Sequence, residues 1–472
     1  MPSSTLSGIE PATAYKIFRL LVPATDASPS NAPSIDLEGS RWTTTDYTPM
    51  FDGDTPEYTC VSYSWGSGKI ANPLASGELM SDRVMPVTEA TLRALHPAAI
   101  WIDAFCVPVR EPERTACLLS MGAIFTSAAR VVAVLSKPCD ALLGDVAQMK
   151  CLDEAGLLLL ENDPWVSRAW TYQEIVNSKS FCFTSEGSSV SLDGMQFLSE
   201  IVSAIENYKK IHGCNSFMFR SLHSRLDNLE DTIADWLTAD FSKRSAYQVM
   251  SSMDRRTAEI PGDCFNAMIG AISAEPLGSR HETTLHSAEY FMQLCEEKGD
   301  FSFIYSSAPR SKAPGRSWRP LAGPIPAIQP WHTFGDGQSG SLDQSCLRLH
   351  NMCRMTRGSV SSTADQFITR WLRNIGADST SRNTPSRILR QLRQAGFAGC
   401  GDVMELEDGY FFPLSTHKSD DNFTVYISAG VRWTHGGPGL IATPDVAGPN
   451  HFRDVGVFIG PVPQIGDSID LV

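Results

Sequence analysis

YTCVSYSWGSG, residues 58–68, is the stretch that decides the fold class. Its first half, Tyr58 to Tyr63, alternates and carries enough β-branched and aromatic character for a buried strand. Its second half, Ser64 to Gly68, is a Ser/Gly loop, which puts backbone amides and hydroxyls at the strand's carboxyl edge. In α/β sheets, ligands bind along that edge. SWGSG falls short of a full phosphate-loop signature, so a plain turn is the alternative reading of the same residues.

Working outward, alternating units follow. Thr88 to His96 reads as a short helix and Ala99 to Cys106 (AIWIDAFC) as an apolar strand interrupted by Asp103. A carboxylate there must be paired or hydrogen-bonded, as a structural anchor or as a site residue. Pro112, between Glu111 and Glu113, opens a helix with Leu118, Met121, Phe125 and Ala128 at spacings of three and four. Arg130 to Leu135 is a strand, Asp145 to Leu160 a helix, and Lys179 to Thr184 a further strand. Such alternation implies a parallel sheet with helices on both faces. Upstream, Tyr15 to Val22 reads as a first strand, and Pro23 to Asp54 as a polar, Pro- and Ser-rich connector.

Between the last two elements lies PWVSRAWTYQEIV, Pro164 to Val176. Asp163 offers an N-cap oxygen and Pro164 sits at the first helical position, where no donor is lost. At 100° per residue, Trp165, Ala169, Tyr172 and Val176 form a narrow seam that docks the helix on a core. Trp170 and Glu174, one turn apart, project to nearly the opposite side. An indole and a carboxylate on a face the core does not need suit the wall of a cleft, and equally a domain interface.

Beyond residue 193 the pattern changes. Gly194 to Ala274 is mostly helical, and His286 to Glu297 resumes a helix. Pro, Gly and Ser dominate Ser306 to Gly340, with Trp318 and Trp331 embedded, as in a boundary or an aromatic-pinned loop. The tail holds one predicted helix, Pro385 to Ala395, and strands including Asn422 to Val431 and His451 to Ile459. The expected divisions are 1–192, an α/β domain; 193–305, a helical region; and 306–472, a mixed α+β region.

Composition excludes some classes. With 39 Lys and Arg against 53 Asp and Glu, the net charge of -14 argues against a nucleic acid or an anionic membrane surface as main partner. No window approaches the roughly 18 apolar residues of a membrane span. The first 18 residues lack the basic start and apolar core of a secretory signal, so a cytoplasmic location is expected. The 12 cysteines include no CxxC pair, and His281 and His286 are wrongly spaced for one helical face. Neither a disulfide framework nor a metal site is expected.

Three blocks together resemble, in order and spacing, the motifs of the fungal HET (heterokaryon incompatibility) domain: Tyr58 to Gly66, Ile100 to Ala129 and Pro164 to Ile175. Arg255, Arg256 and Asp263, and the SWRP of Ser317 to Pro320, echo it more weakly. HET domains are similar to TIR domains, whose fold is flavodoxin-like. Several TIR domains cleave the nicotinamide-ribose bond of NAD with a helix-borne glutamate beside an aromatic residue. The resemblance therefore implies a flavodoxin/TIR-like fold, with Glu174 as catalytic carboxylate and Trp170 packing a ring. It also implies that Tyr63, Ser64, Trp65 and Gly66 contact ribose or phosphate, with Asp103, Arg110 and Arg168 lining the ligand site. No cofactor is implied, since NAD enters as substrate. Glycosidic cleavage through an oxocarbenium-like state needs a nearby carboxylate, and nicotinamide leaves as a neutral base without an acid.

The sequence departs from the family at Val107, Pro108 and Val109, where Ile-Asn-Gln is usual, and at Cys117, where glutamine is usual. Arg110, Glu113 and Arg114 are retained. Two further readings stay open. One is a non-catalytic module whose output is homotypic assembly in non-self recognition and cell death. The other is a repurposed enzyme of small-molecule chemistry using Cys106 or Cys117 as nucleophile.

Overall fold

The computed structural model describes residues 18–25, 32–47, 55–111, 113–149, 151–214, 219–220, 222–238, 243–273, 284–329, 332–333, 335–343, 346–356, 366, 392, 403–415, 417, 422–433, 435–445 and 448–472. The chain groups into two compact units. One comprises 1–214, 223–242 and 256–282; the other comprises 215–222, 243–255 and 283–472. The segment expected as a separate helical region thus contributes helices to both.

Strand β4 (Thr59–Tyr63) is buried along its whole length. It pairs in parallel with β7 (Ile100–Trp101) on one side and β8 (Arg130–Leu135) on the other, and β8 pairs in parallel with β9 (Phe181–Ser185). Apolar runs such as Val131 to Leu135 tolerate cover on both faces, which is what helical crossovers provide. In chain order, the four parallel strands stand 2-1-3-4 across the sheet.

The whole sheet is mixed, not parallel throughout. Its order is β10-β9-β8-β4-β7-β1-β3-β2, with β1 (Phe18–Pro23), β2 (Ser34–Leu37), β3 (Ser40–Tyr47) and β10 (Leu192–Asp193) all antiparallel to their neighbours. The connector expected over 23–54 contains a hairpin. Glu38 and Gly39, at φ 47° and 75°, form its two-residue turn, and a turn of that length permits only antiparallel pairing. A separate hairpin joins β5 (Lys69–Ala71) to β6 (Leu79–Ser81).

Several helices differ from expectation. The first, α1, spans Val84–Leu95 and ends on His96 in the left-handed region. The expected strand 99–106 shrinks to β7, because Asp103–Cys106 winds into a turn of helix, α2, with the Cys106 amide donating to the Ile102 carbonyl at 2.9 Å. The next helix divides at Ser120 into α3 (Glu113–Leu119) and α4 (Met121–Ser127); Pro112 lies outside the described residues. The helix expected over 145–160 is two, α5 (Asp140–Met149) and α6 (Glu154–Glu161), the second capped by Asp153, which accepts from the Gly156 amide.

PWVSRAWTYQEIV is likewise broken. Asp163 caps α7 (Pro164–Ser167) as expected, but Arg168 is extended (φ -78°, ψ 143°) and α8 (Ala169–Val176) starts afresh. The break is held from a distance: the Thr257 amide donates to Ser167 at 2.7 Å, and the Ala169 amide to Thr257 at 3.0 Å. Helix α8 is enclosed by β4, α4, α10 (Ser224–Thr238) and α12 (Pro261–Ile272), with α9 (Gly194–Ile211) preceding α10 in the chain. Every residue from Thr171 to Val176 is buried, so the expected docking seam with a free opposite face is not what forms.

The second unit carries α11 (Ala246–Met253), α13 (Thr284–Lys298) and an antiparallel sheet of β11 (Gly340–Asp343), β12 (Cys346–Met355), β13 (Met404–Leu406), β14 (Gly409–Pro413), β15 (Thr424–Ser428), β16 (Gly436–Thr443), β17 (His451–Ile459) and β18 (Asp467–Leu471). Leu406, Phe411, Val425, Ile427, Ile441 and Phe458 form a core cluster on it. The Pro/Gly-rich stretch is pinned by fully buried Trp318, as expected; Trp331 and, apart from Leu392, the helix expected over 385–395 lie outside the described residues.

Candidate functional site

Two hydrogen-bonded groups meet at the carboxyl end of β4. Alternation along the strand sends Ser62 toward α8 and separates it from its neighbour Tyr63. Trp165 Nε1 donates to Ser62 Oγ at 2.8 Å, and the Ser62 hydroxyl donates to Glu174 Oε2 at 2.5 Å. Glu174 is only 7% exposed. Burial pushes its carboxyl up to about 8. The Ser62 hydrogen bond opposes that shift, Asp103 adds to it, and the charges of Arg168 and Arg256 oppose it.

Asp103 organises the second group. Its Oδ1 accepts from the Tyr63 hydroxyl at 2.7 Å and its Oδ2 from Trp65 Nε1 at 2.7 Å, while its own α2 turn is tied by the Ala104 amide. Asp103 is therefore both a structural anchor and within electrostatic reach of Glu174. Burial, then the Asp103 carboxylate, holds the Tyr63 phenol well above its ordinary range. Gly66 donates its amide to Ser81 Oγ at 2.8 Å, and an added Cβ at Gly66 would run into Asp82.

Arg83, just before α1, completes the loop. Its Nη1 donates to the Ser64 carbonyl at 2.7 Å and also to the Ser64 hydroxyl, and its Nε pairs with Glu186. Lys69 places its ammonium 4.4 Å from the centre of the Trp65 ring.

On α8, Trp170 is half-buried and bonds Asp263 at the start of α12, where burial pushes the Asp263 carboxyl up and the bonds from Trp170 and Asn266 oppose it. Arg256, 7% exposed, donates from Nη1 to the Arg168 carbonyl at 2.8 Å and to Thr171 Oγ1 at 3.1 Å, and from Nη2 to Thr232 Oγ1 at 2.7 Å. Burial pulls its guanidinium down to about 10, against nearby negative charges that include Glu174.

The structure thus gathers Glu174, Asp103, Tyr63, Ser64, Trp65, Gly66 and the half-buried Arg168 around one strand end, with Trp170 turned to Asp263. Arg110 is exposed on the loop before α3. Cys106 and Cys117 are buried, and burial pushes the Cys106 thiol up to about 12, far from the thiolate a nucleophile requires. Sequence reading missed Ser62, Arg83, Glu186 and Lys69, and placed Trp165 only in a packing seam. Ser62 was findable, as a hydroxyl between Val61 and Tyr63 near the carboxyl end of a buried strand. Nothing local marks Arg83.

Residues 58–154 match the family model described as Heterokaryon incompatibility protein (HET). The match supports a HET-domain protein and points to a role in heterokaryon incompatibility. It covers the strand end and the Asp103 turn of the HET segment; α8, with Trp170 and Glu174, lies beyond it. No curated protein and no solved structure matches the chain.

Among the described residues, no group of three or more His, Cys, Asp or Glu could hold a metal ion, and no helix is long and apolar enough to cross a membrane. The second unit has an open cleft of about 340 Å³ lined by Glu289, Gln293, Glu296, Ser311, Arg316 and Arg319. Its polar groups answer each other: Arg319 bonds Glu289 twice at 2.8 Å and Glu296 at 2.6 Å.

Proposed function

We propose that the HET segment and α8 together bind NAD or a related nucleotide at the carboxyl edge of β4 and hydrolyse the bond between its ribose and nicotinamide, as part of a heterokaryon-incompatibility response. The observation that carries this reading is the buried Glu174 carboxyl, fixed by Ser62 and electrostatically coupled to Asp103. A buried carboxyl whose protonation is displaced beside a specific charged partner is a feature of functional sites. The 2-1-3-4 order supports it, because chain-successive strands step from β4 to β7 and then to the far side of β4 at β8. That reversal point is where flavodoxin-like sheets, the TIR arrangement included, bind ligands.

In this reading Glu174 is neutral at pH 7 before substrate binds. A cationic nicotinamide ring beside it favours the ionised form, and the carboxylate then stabilises the positive charge that develops on the ribose as the glycosidic bond breaks. Water completes hydrolysis. Tyr63 and Asp103 orient the ribose side, Trp170 packs a ring, and Ser64 with Gly66 meets the phosphates.

The test is incubation of the purified protein with NAD, following nicotinamide and ADP-ribose by chromatography, beside Glu174→Gln. Product from the wild type alone supports the reading. Equal product from both removes Glu174 from the chemistry, and no product from either overturns cleavage.

A further inference from the structure

Trp65 stands out at the edge of this site because its ring is fixed at one end and carries an exposed cation over a face. The indole nitrogen donates to Asp103 Oδ2 at 2.7 Å, so the ring plane is set before any ligand arrives. The residue is half-buried, and a positive charge already lies on it: Lys69 Nζ, 4.4 Å from the ring centre. Indole is the best of the aromatic faces for a cation, and a carboxylate bonded to its N–H adds negative potential to the same ring.

Lys69 is a weak occupant. It begins β5, whose three residues are all exposed and which, among the described residues, pairs with β6 alone. An ammonium held over a ring at such a site gains roughly 0.5–1 kcal/mol, little enough for another cation to displace it. A flat cationic ring covers more of the indole than an ammonium does and carries no tightly held hydration shell. The Asp103 carboxylate bonded to the indole favours positive charge nearby.

We infer that the Trp65 face under Lys69 is a binding site for a flat aromatic cation of the pyridinium class, and that Lys69 occupies it as an internal competitor. The inference deepens the proposed function, since N-ribosylated nicotinamide is such a cation, and rests on it only for the choice of ring. When the ring binds, the Lys69 ammonium swings away from Trp65, while the Gly66–Ser81 bond keeps the β5–β6 hairpin on the loop. In the absence of ligand it caps the site.

Binding of 1-methylnicotinamide, a ring with no glycosidic bond to cut, separates this inference from the cleavage reading. Titration calorimetry is run on the full chain, with neutral nicotinamide as comparison. Removing the competitor in Lys69→Met tightens 1-methylnicotinamide about threefold and leaves neutral nicotinamide unchanged, the size expected for one exposed cation-π contact. Trp65→Leu weakens the cation severalfold, and Trp65→Phe, which keeps a ring but loses the bond to Asp103, falls between. Equal affinity in Trp65→Leu and wild type overturns the site. Unchanged affinity in Lys69→Met, or no binding by that variant, overturns the competitor. Failure of NAD cleavage leaves all these outcomes readable.

Discussion

Glu174 ties acidity and stability to one side chain. Its carboxyl is raised to about 8 in the folded protein, so between its ordinary value and 8 the folded chain binds a proton that the unfolded chain has lost. Stability therefore falls as pH rises through that window. Glu174→Gln removes the loss: its melting temperature should exceed the wild type's at pH 8 and match it at pH 5, a difference on the order of 2 kcal/mol at the higher pH. Equal melting at both pH values would show that the group is not desolvated. If the carboxylate is the working form, kcat/KM for NAD should rise with pH through an inflection near 8 and level off above it. Ser62→Ala takes away a bond that favours ionisation, so that inflection should move higher. The same change leaves Trp165 Nε1 unpartnered, costing about 1–3 kcal/mol in a denaturant melt.

At the scale of elements, two glycines decide how closely α8 is wrapped. A Cβ on Gly270 would come within 1.5 Å of Gln173 Oε1, and a Cβ on Gly122 would lie 2.4 Å from the backbone oxygens of Gly270 and Ser273. Gly270→Ala and Gly122→Ala should each destabilise by roughly 1–3 kcal/mol. Gln173→Ala should restore much of the first loss and none of the second, because only the first clash is with a side chain. Thermal melts of the two double variants decide this, and rescue of both would refute it. The break at Arg168 belongs to this scale as well. Helical spacing placed Trp165 and Tyr172 on one seam because no Gly or Pro after Pro164 marks an interruption. The interruption comes from Thr257 and Arg256, some 90 residues downstream, which no local pattern can announce. By contrast Asp163, Pro164 and the strand at residue 58 were legible, since capping oxygens and alternation act within a few residues. The Asp103 turn was misread as strand because AIWIDAFC is apolar at every position but Asp103, and it is the side-chain bonds to Tyr63 and Trp65 that fix Asp103 in place.

For the whole molecule, the parallel core and β1 could be read from apolar runs and helical spacings, whereas the β2–β3 hairpin of the antiparallel flank could not. Its strands carry polar residues such as those of SRWTTTDY, whose pairing is fixed by a turn at Glu38 and Gly39 rather than by hydrophobicity. The first unit is also discontinuous in sequence. A chain ending at residue 192 keeps the sheet but loses α10 and α12, uncovering Tyr172, Gln173 and the rest of α8. It should fail to show a cooperative melt, while the full chain shows one; a sharp transition in the truncated chain would mean that α8 needs no cover from later residues.

The clasp at Arg168 also sets an order in time. During synthesis β4, the Asp103 turn and α8 all emerge before Thr257 and Arg256, yet the extended residue that begins α8 is held by those two. The strand end can gather its parts only after the chain has been made past residue 257. A nascent or prematurely terminated chain is therefore inert at this site, a useful property for a protein whose proposed reaction would consume NAD in the cell that makes it.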